Sequence, residues 1–497
     1  MINISKEVTA NSIQKDLGEK YYLYPKSLRD QGNLAYFLVR DLDTKYLGVI
    51  GSIEDIENSE FTGVIGRNII PEGKDKIIRL YHKSGENLKK LISIFPSLKP
   101  SLLGQKASFG FGDRLGMATP AHTRVINKNK CILPVFAQQS VRELAKTNRT
   151  FQDVVDSAMW GIFQEGYEGK WGADADHIKS KEYFVKAVEQ GMTMFTLDSS
   201  DVLEEQILNM DANQIKDKFD LNSKYLVRVR DRYIGKIHKI GDYTLRFDEN
   251  ATIRIALTYK KVLDFIEEIF KFLKEKISYF DYEVSLDETN AITSPEAHYF
   301  IVNEMQHRGV IFSGLALKFP GTFEKGIDYN GDVFEFEKNI KVHSEISRSI
   351  GGYKLSLHSG SDKFTIYPAF NKYTEGVFHI KTSGTSWLEA LGVIAIYDPD
   401  LFRELYNIAV DTFKKNKKDY NISIIHSDFP NNIDNIRDEE LGDLLYDKNI
   451  RRVFHISYGP ILEKKKREFF KVIFSNEEKY YKFLTNHLEK HFDALNK

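Results

Sequence analysis

Polar residues that could do chemistry stand where several short apolar runs of this sequence end. In a parallel α/β barrel, side chains at the carboxyl ends of the strands form the active site. Three histidines and several carboxylates on one rim would suit a divalent metal beside an acid and a base. These residues are Asp176 and His177 in GADADH, Glu283 in YEVSLDET, His358 in YKLSLHSGSDK, and His379 and Lys381 in VFHIKTSG.

The segment Asp174-Ala-Asp176-His177 has no hydrophobic role. A histidine beside two carboxylates can be a metal ligand or a general base, and active-site residues cluster on loops over a rigid scaffold. The alternative is a turn-forming aspartate with a hydrogen-bonded histidine. Both interpretations stay open from the residues alone.

Strand periodicity in YEVSLDET places Glu283, Ser285 and Asp287 on one face. In a barrel the inward face is buried, and a buried carboxylate is costly unless it is paired or bound to a metal. This favours a functional role for Glu283. An internal salt bridge with a lysine or arginine on a neighbouring strand is the other explanation.

Two Ser/Gly/Thr loops follow the last two polar strand ends. Ser359 and Ser361 come after His358, and a similar loop comes after His379 and Lys381. Backbone N–H groups in such loops can bind a carboxylate or phosphate at a helix start. Ordinary helix capping by Ser and Thr explains them equally simply. We expect Ser359, Ser361, His379 and Lys381 to contact the substrate, with Lys381 as a candidate anion clamp.

Three weaker candidates lie outside the predicted strands. Arg114, in the loop FGFGDRLGMATPAH, could clamp an anion. Glu324 could complete a metal shell or be a surface charge, which is the commoner fate of a glutamate. His487 and His491 lie one helical turn apart, but a metal site needs at least three protein ligands.

Strand and helix patterns alternate from about residue 105, which predicts eight βα units. A closed (β/α)8 barrel is the economical interpretation, with an open doubly wound sheet as the competing one. The helix over 255–277 has the clearest apolar stripe. The predicted strands cover 107–111, 132–137, 171–177, 193–198, 280–286, 310–317, 353–358 and 377–381.

The chain divides into three predicted parts. Residues 1–100 form an α+β unit, with strands over 34–40, 46–52 and 76–82 and a Pro-containing linker near residue 100. Residues 101–415 form the catalytic barrel, and residues 416–497 form a mostly helical C-terminal extension.

Composition excludes several classes of protein. Lys and Arg total 70 and Asp and Glu total 71, so no general binding to nucleic acid is indicated. No apolar run is long enough to span a membrane, and the N-terminus lacks the apolar region of a signal peptide. Cys131 is the single cysteine, which fits a reducing compartment. We expect a cytoplasmic protein, with a homo-oligomer left open.

Eight segments of the sequence resemble the tagaturonate epimerase family. The resemblance implies a (β/α)8 enzyme that interconverts tagaturonate and fructuronate, two keto sugar acids, with the help of a divalent metal. Related enzymes convert fructose to tagatose, so a keto sugar substrate carries over as well. The segments are FGDRLGMATPAHTR, PVFAQQSVREL, FQEGYEGKWGADADH, MFTLDSSD, EVSLDET, FEKGIDYNGD, LSLHSGSDKF and FHIKTSGTSWLEA.

The resemblance also implies roles for individual residues. Asp176 would accept a proton and Glu283 would donate one, while His177 and His358 would bind the metal. A third ligand belongs between the EVSLDET and LSLHSG motifs, and Glu324 is our choice. The metal could be Mn, Ni, Co, Zn or Mg.

The chemistry of the implied reaction favours one mechanism. The inverted carbon carries a hydroxyl and lies beta to the ketone, so its C–H is not acidic. Retro-aldol cleavage followed by aldol addition avoids this difficulty, with a metal acting as Lewis acid. Transient dehydrogenation is the rival mechanism, but the sequence has no dinucleotide-binding fingerprint. A metal-dependent aldolase or isomerase of keto sugars is the alternative function.

Overall fold

A computed structural model of the chain describes residues 9–71, 75–219, 223–289, 291–420 and 422–496. Its N-terminal part is an antiparallel sheet with short helices beside it. The elements are α1 (Ala10–Leu17), β1 (Tyr22–Leu23), β2 (Arg29–Gln31), β3 (Leu34–Arg40), β4 (Lys45–Gly51), α2 (Ile53–Asn58), β5 (Val64–Ile69), β6 (Ile77–His82) and α3 (Gly85–Ile94).

Strand β3 is apolar along most of its length because both of its faces are buried. Ala35, Phe37 and Val39 pack in a small core of the N-terminal sheet. Tyr36 and Leu38 point the other way and join the main core of the molecule. The period of two along a strand therefore attaches this sheet to the rest of the protein.

Eight parallel strands close into a barrel in chain order, which confirms the predicted α/β barrel. Because helices cover the outside of a parallel barrel, its strands appear in the sequence as short apolar runs. The barrel closes where His379 pairs with Ser108. The strands are β7 (Ser108–Phe111), β8 (Leu133–Ser140), β9 (Gly172–Ile178), β10 (Met194–Asp198), β13 (Asp281–Ser285), β14 (Gly314–Ala316), β15 (Lys354–Leu357) and β16 (Phe378–Thr382).

A hairpin, β11 (Ile237–Ile240) and β12 (Tyr243–Arg246), is inserted between β10 and β13. Helices surround the barrel and continue beyond its last strand. They are α4 (Thr119–Lys128), α5 (Val141–Thr147), α6 (Phe151–Glu165), α7 (Lys181–Glu189), α8 (Ala212–Asp217), α9 (Lys224–Tyr233), α10 (Glu249–Lys276), α11 (Pro295–His307), α12 (Val333–Ile350), α13 (Tyr367–Thr374), α14 (Thr385–Tyr397), α15 (Pro399–Lys417), α16 (Lys448–Ile456), α17 (Tyr458–Ser475) and α18 (Glu477–Leu495).

The three predicted parts share one hydrophobic core. Leu38 of the N-terminal sheet, Phe109 of the barrel and Phe492 of α18 belong to the same buried cluster. Glu477, at the start of α18, forms an ion pair with Lys45 of β4. The division at residues 100 and 415 stays a prediction. None of the helices in the described ranges combines the length and apolarity of a membrane span.

Candidate active site

An irregularity in strand β9 directs two consecutive polar side chains, Asp176 and His177, into the site. Asp174 and Asp176 share a face of the strand by simple alternation. The pairing of β9 with β10 shifts register between Phe195 and Leu197, and His177 there adopts a left-handed φ of 52°. A bulge of this kind re-aims a side chain, and such backbone strain is found at functional sites.

The ammonium group of Lys381 is the centre of the carboxylate cluster. It lies 2.6 Å from Asp174 Oδ2, 2.8 Å from Asp176 Oδ1 and 2.8 Å from Glu283 Oε1. It also donates a hydrogen bond to Thr196 Oγ1. Because these groups are mostly buried, the lysine supplies the opposite charge that the carboxylates require.

Two histidines and Asp287 form a second cluster beside the first. His358 Nδ1 lies 3.0 Å from Asp287 Oδ1, and His358 Nε2 lies 2.7 Å from Glu283 Oε1. The rings of His177 and His358 are 4.7 Å apart between centroids. One ligand atom each from His177, Asp287 and His358 fit within 4.8 Å of one another, so these three side chains could hold a metal ion.

The two clusters strongly shift the pKa values of their members. Burial would raise the pKa of Glu283, but Lys381 and His358 hold it well below its usual value. Burial would likewise raise the pKa of Asp176, but His177 and Lys381 keep it well below the ordinary range. Both carboxylates are therefore ionised at neutral pH.

Asp174 differs from these two carboxylates although it contacts the same lysine. Burial raises its pKa to about 6 despite the charge of Lys381, and the neighbouring Asp176 adds to the rise. Asp174 is fully buried in the barrel interior. Its position fits a group that balances charge beneath the site.

Glu283 is held by close packing as well as by charge. A Cβ atom at Gly314, on the adjacent strand β14, would lie 2.7 Å from Glu283 Oε2. Such a contact is too short, so only glycine at this position leaves room for the carboxylate. The close approach of Glu283 therefore accounts for the glycine at this position of β14.

Glu324, predicted as the third metal ligand, forms other contacts in the structure. Its carboxylate lies 2.6 Å from Arg452 Nη1 and accepts a hydrogen bond from the backbone N–H of Ser423. The clusters able to hold a metal within the described residues do not include Glu324. Asp287, which the sequence places on the same strand face as Glu283, is the carboxylate that lies with His177 and His358 in a cluster able to hold a metal.

Arg114, predicted as an anion clamp, has other partners in the structure, which disfavours this role without testing it. Its Nε lies 2.8 Å from Glu143 Oε1, its Nη1 donates to the carbonyl oxygen of His455, and its guanidinium stacks over Tyr458. The side chain is buried. Arg114 therefore joins the barrel to the C-terminal helices. The clamp role of Lys381 is equally disfavoured, because three carboxylates surround it.

Of the remaining residues predicted to contact the substrate, Ser359 lines the cavity, whereas Ser361 and His379 make contacts within the protein. Ser359 lines the cavity and has a left-handed φ of 50°. Ser361 accepts a hydrogen bond from the N–H of Ser383, so it ties two loops together. His379 lies buried in the barrel with Nδ1 2.9 Å from Ser108 Oγ, and burial lowers its pKa to about 3.

The histidine pair on α18 belongs to a different cluster. His487 and His491 approach Asp362, and the three could geometrically hold a metal. However, Arg451 Nη2 lies 3.1 Å from Asp362, and His491 Nε2 already accepts the N–H of Asp362. The arginine supplies the positive charge that a cation would bring, so we assign this cluster a structural role.

A cavity of about 720 Å³ borders the histidine cluster, and the Lys381 cluster lies behind His358, which contacts Glu283. Asp287, His358 and Ser359 line one part of it, while Arg142 and Lys325 line another. The sequence analysis singled out neither Arg142 nor Lys325, although Arg142 lies just after the end of β8 and Lys325 is adjacent to Glu324. The volume suits a small polar molecule rather than a polymer.

A closed parallel barrel with buried carboxylates, a buried lysine and possible metal ligands beside a cavity is typical of an α/β-barrel enzyme that acts on a small polar substrate. The sequence profile of the tagaturonate epimerase family matches residues 24–495. The chain belongs to this family, which confirms the resemblance, and it is an isomerase of the sugar-acid epimerase type.

Individual relatives agree over nearly the whole chain. A tagaturonate/fructuronate epimerase of Thermotoga maritima is 42% identical over 484 residues, which are 96% of this chain and 98% of the relative. The native crystal structure of the fructuronate-tagaturonate epimerase of Cohnella laeviribosi has a TM-score of 0.91 at 33% identity, covering 98% of this chain and 99% of that one. A glycerol complex of the same enzyme also has a TM-score of 0.91, at 32% identity, covering 99% of this chain and 100% of that one.

Proposed function

We propose that this enzyme interconverts tagaturonate and fructuronate by retro-aldol cleavage and aldol addition, using a divalent cation. The observation that carries the proposal is the pairing of the His177, Asp287 and His358 cluster with the Lys381 carboxylate cluster. The candidate metal ligands adjoin the candidate acid–base groups through His358 and Glu283, and Asp287 and His358 line the cavity. Family membership adds the sugar-acid substrate class.

The donor atoms fit a divalent cation in number and charge. Four carboxylates face one lysine and two imidazoles in the two clusters. Two imidazoles and a carboxylate are a ligand set for divalent transition metals such as Zn, Co, Ni or Mn. Since ligating imidazoles must be neutral, a divalent cation replaces two imidazole protons without changing the total charge.

A bound divalent cation would act as a Lewis acid that polarises the substrate's ketone. Asp176 accepts a proton from the reacting hydroxyl, and Glu283 donates one to it. Because its pKa is low, Asp176 is ionised and can accept the hydroxyl proton as the carbon–carbon bond breaks. When the bond re-forms on the other face of the rotated aldehyde fragment, Glu283 returns a proton to the new alkoxide.

Glu283 is itself ionised at rest, so the proton it donates must reach it during the reaction. Lys381 contacts both Asp176 and Glu283 at 2.8 Å. It can pass a proton to Glu283 while it takes one from Asp176, which restores all three groups after each turnover. Lys381 is therefore a proton relay rather than a substrate clamp.

Product analysis tests the function. Purified enzyme is incubated with tagaturonate after loading with each of several divalent ions, and the products are separated and identified. Fructuronate is the expected product, and fructuronate should return tagaturonate. Two shorter fragments would indicate an aldolase and an aldose would indicate an isomerase, and either would contradict the proposal.

Replacing Lys381 tests the relay. Lys381→Met should lower turnover by about a hundredfold or more, the scale of a positioned proton-transfer group. The loss should be equal on tagaturonate and on uncharged tagatose, because a relay does not recognise the substrate's carboxylate. The measurement is kcat on both substrates. A loss confined to the uronate would instead make Lys381 the carboxylate clamp.

A further inference from the structure

We infer that Arg142 and Lys325 form the clamp that binds the substrate's carboxylate, and that this clamp selects hexuronates over neutral ketoses. The inference rests on the proposed function. Both side chains line the cavity that also contains Asp287 and His358. No cation predicted from the sequence fills this role, since Arg114 and Lys381 are saturated by other partners.

Lys325 is a partly buried cation without an opposite charge of its own. Among the described residues it makes no hydrogen bond and no ion pair. Its neighbour Glu324 is paired with Arg452 instead. Burial lowers the pKa of Lys325, and the charge of Arg142 lowers it further. A charge kept in this position without a partner is costly unless a ligand supplies one.

Arg142 is oriented but not neutralised. Its Nη1 donates to the carbonyl oxygen of Asp419, and its guanidinium lies over the ring of Tyr420, 4.5 Å from the centroid. Its Nε is buried and unpartnered in the described part of the chain. Held in this way at the start of α5, the guanidinium can bind a carboxylate with fixed geometry.

Two like charges close enough to affect each other are unfavourable unless an anion lies between or beside them. Glu288 also lines the cavity, and its charge raises the pKa of both cations, but among the described residues its ion-pair contact is with His177 Nε2 at 3.9 Å. An anionic group of the bound ligand would neutralise the charges of Arg142 and Lys325. Tagaturonate and fructuronate carry the carboxylate at the end of the chain remote from the ketone, which fits this separation.

Binding to a catalytically inactive background tests the clamp directly. In Glu283→Gln protein, adding Arg142→Gln or Lys325→Gln should weaken tagaturonate binding, measured by calorimetry, by about ten- to a hundredfold, the scale of one charge-assisted hydrogen bond. Lys325→Arg should retain most of the affinity. The affinity for tagatose should change much less than that for the uronate.

Lys146→Gln is the matched control. Lys146 lies one turn after Arg142 on α5 and also contacts Tyr420, but it has its own carboxylate partner in Asp419 at 2.7 Å. Its removal should leave uronate binding unchanged, which excludes a general effect of charge. Thermal melting of each variant shows whether it is folded.

The outcomes separate the clamp from the proposed function. Unchanged uronate affinity in both Arg142→Gln and Lys325→Gln, or equal losses for tagaturonate and tagatose, would overturn the clamp even if the wild-type enzyme epimerises uronates. If wild-type enzyme fails to convert tagaturonate, the proposed function fails. A selective loss of uronate binding in the variants would then still support the clamp.

Discussion

Replacing His177 or His358 with alanine should remove both the bound divalent cation and the enzyme's activity. Each imidazole supplies one of three ligand atoms that fit within 4.8 Å. Loss of an outer-sphere partner typically weakens metal binding by about 10- to 100-fold, and loss of a direct ligand should exceed that. The measurements are metal content by mass spectrometry and thermal stabilisation by added metal, with turnover as a third readout.

The third ligand separates two hypotheses. If Asp287 completes the site, Asp287→Ala should lose metal to a similar extent as the histidine variants, whereas Glu324→Gln should keep it. Glu324 contacts Arg452 and Ser423, so Glu324→Gln should lower stability rather than metal affinity. Loss of metal in Glu324→Gln, with metal retained in Asp287→Ala, would restore the ligand set expected from the sequence.

His487→Ala provides the control for the metal measurement. His487 belongs to the other cluster able to hold a metal in the described ranges, and it contacts Asp362 and Glu389. Because Arg451 already supplies positive charge there, this variant should retain the metal of the wild type. Full metal and activity in His358→Ala would show that the ion lies elsewhere.

The barrel could be predicted from the sequence because its strands are buried on both faces and appear as apolar runs between helical patterns. Strand β9 has little apolar character in the sequence, since its inward residues are Asp174 and Asp176 rather than aliphatic side chains. The polar residues of the site reduce the hydrophobic signal by which a strand is recognised in a sequence. The same polar residues that obscure the strand reveal the active site.

The contacts of Arg114 and Glu324 could not be predicted in the same way. Arg114 binds Glu143 and the carbonyl of His455, and Glu324 binds Arg452, so the decisive partners lie in distant helices. Strand periodicity positions residues on strands and carries no information about how the C-terminal helices pack on the rim. The left-handed backbone of His177 likewise depends on the register between two strands.

The same limit explains why Arg142 and Lys325 were missed. Arg142 lies in PVFAQQSVREL and Lys325 in FEKGIDYNGD, but neither segment shows which charges oppose these cations in the folded protein. Neither cation has an ion-pair partner among the described residues. This can be recognised only from the positions of all neighbouring carboxylates in the folded protein. A sequence motif can identify polar residues at the end of one strand. Whether a charged side chain lacks an ion-pair partner depends on the folded structure.

Asp176→Asn and Glu283→Gln should each lower turnover by about a hundredfold or more in a folded protein that still binds the metal. Because these carboxylates contact His177 and His358, the metal affinity should fall by no more than the roughly 10- to 100-fold typical of an outer-sphere partner. Both changes keep the size of the side chain and an oxygen that can accept from Lys381. What they remove is the ability to exchange a proton with the substrate. The measurements are kcat in both directions of the epimerisation, metal content and melting temperature.

Asp174→Asn is the matched control for these two variants. Asp174 contacts the same lysine at 2.6 Å, but it is fully buried and its pKa is raised to about 6. If proton transfer to the substrate causes the losses, Asp174→Asn should cost much less than Asp176→Asn. Equal losses would mean that the charge balance around Lys381, rather than proton transfer, is what the site requires.

Glu288→Gln tests the choice of acid at the end of β13. The Glu288 carboxylate is 44% exposed, whereas Glu283 is buried and bound by both Lys381 and His358. A positioned acid must be held within reach of the reacting oxygen, and the exposed side chain is not held in this way. Glu288→Gln should therefore be close to wild type. A dead Glu288→Gln beside an active Glu283→Gln would move the proton donor to the rim of the same strand and leave Lys381 without a relay partner.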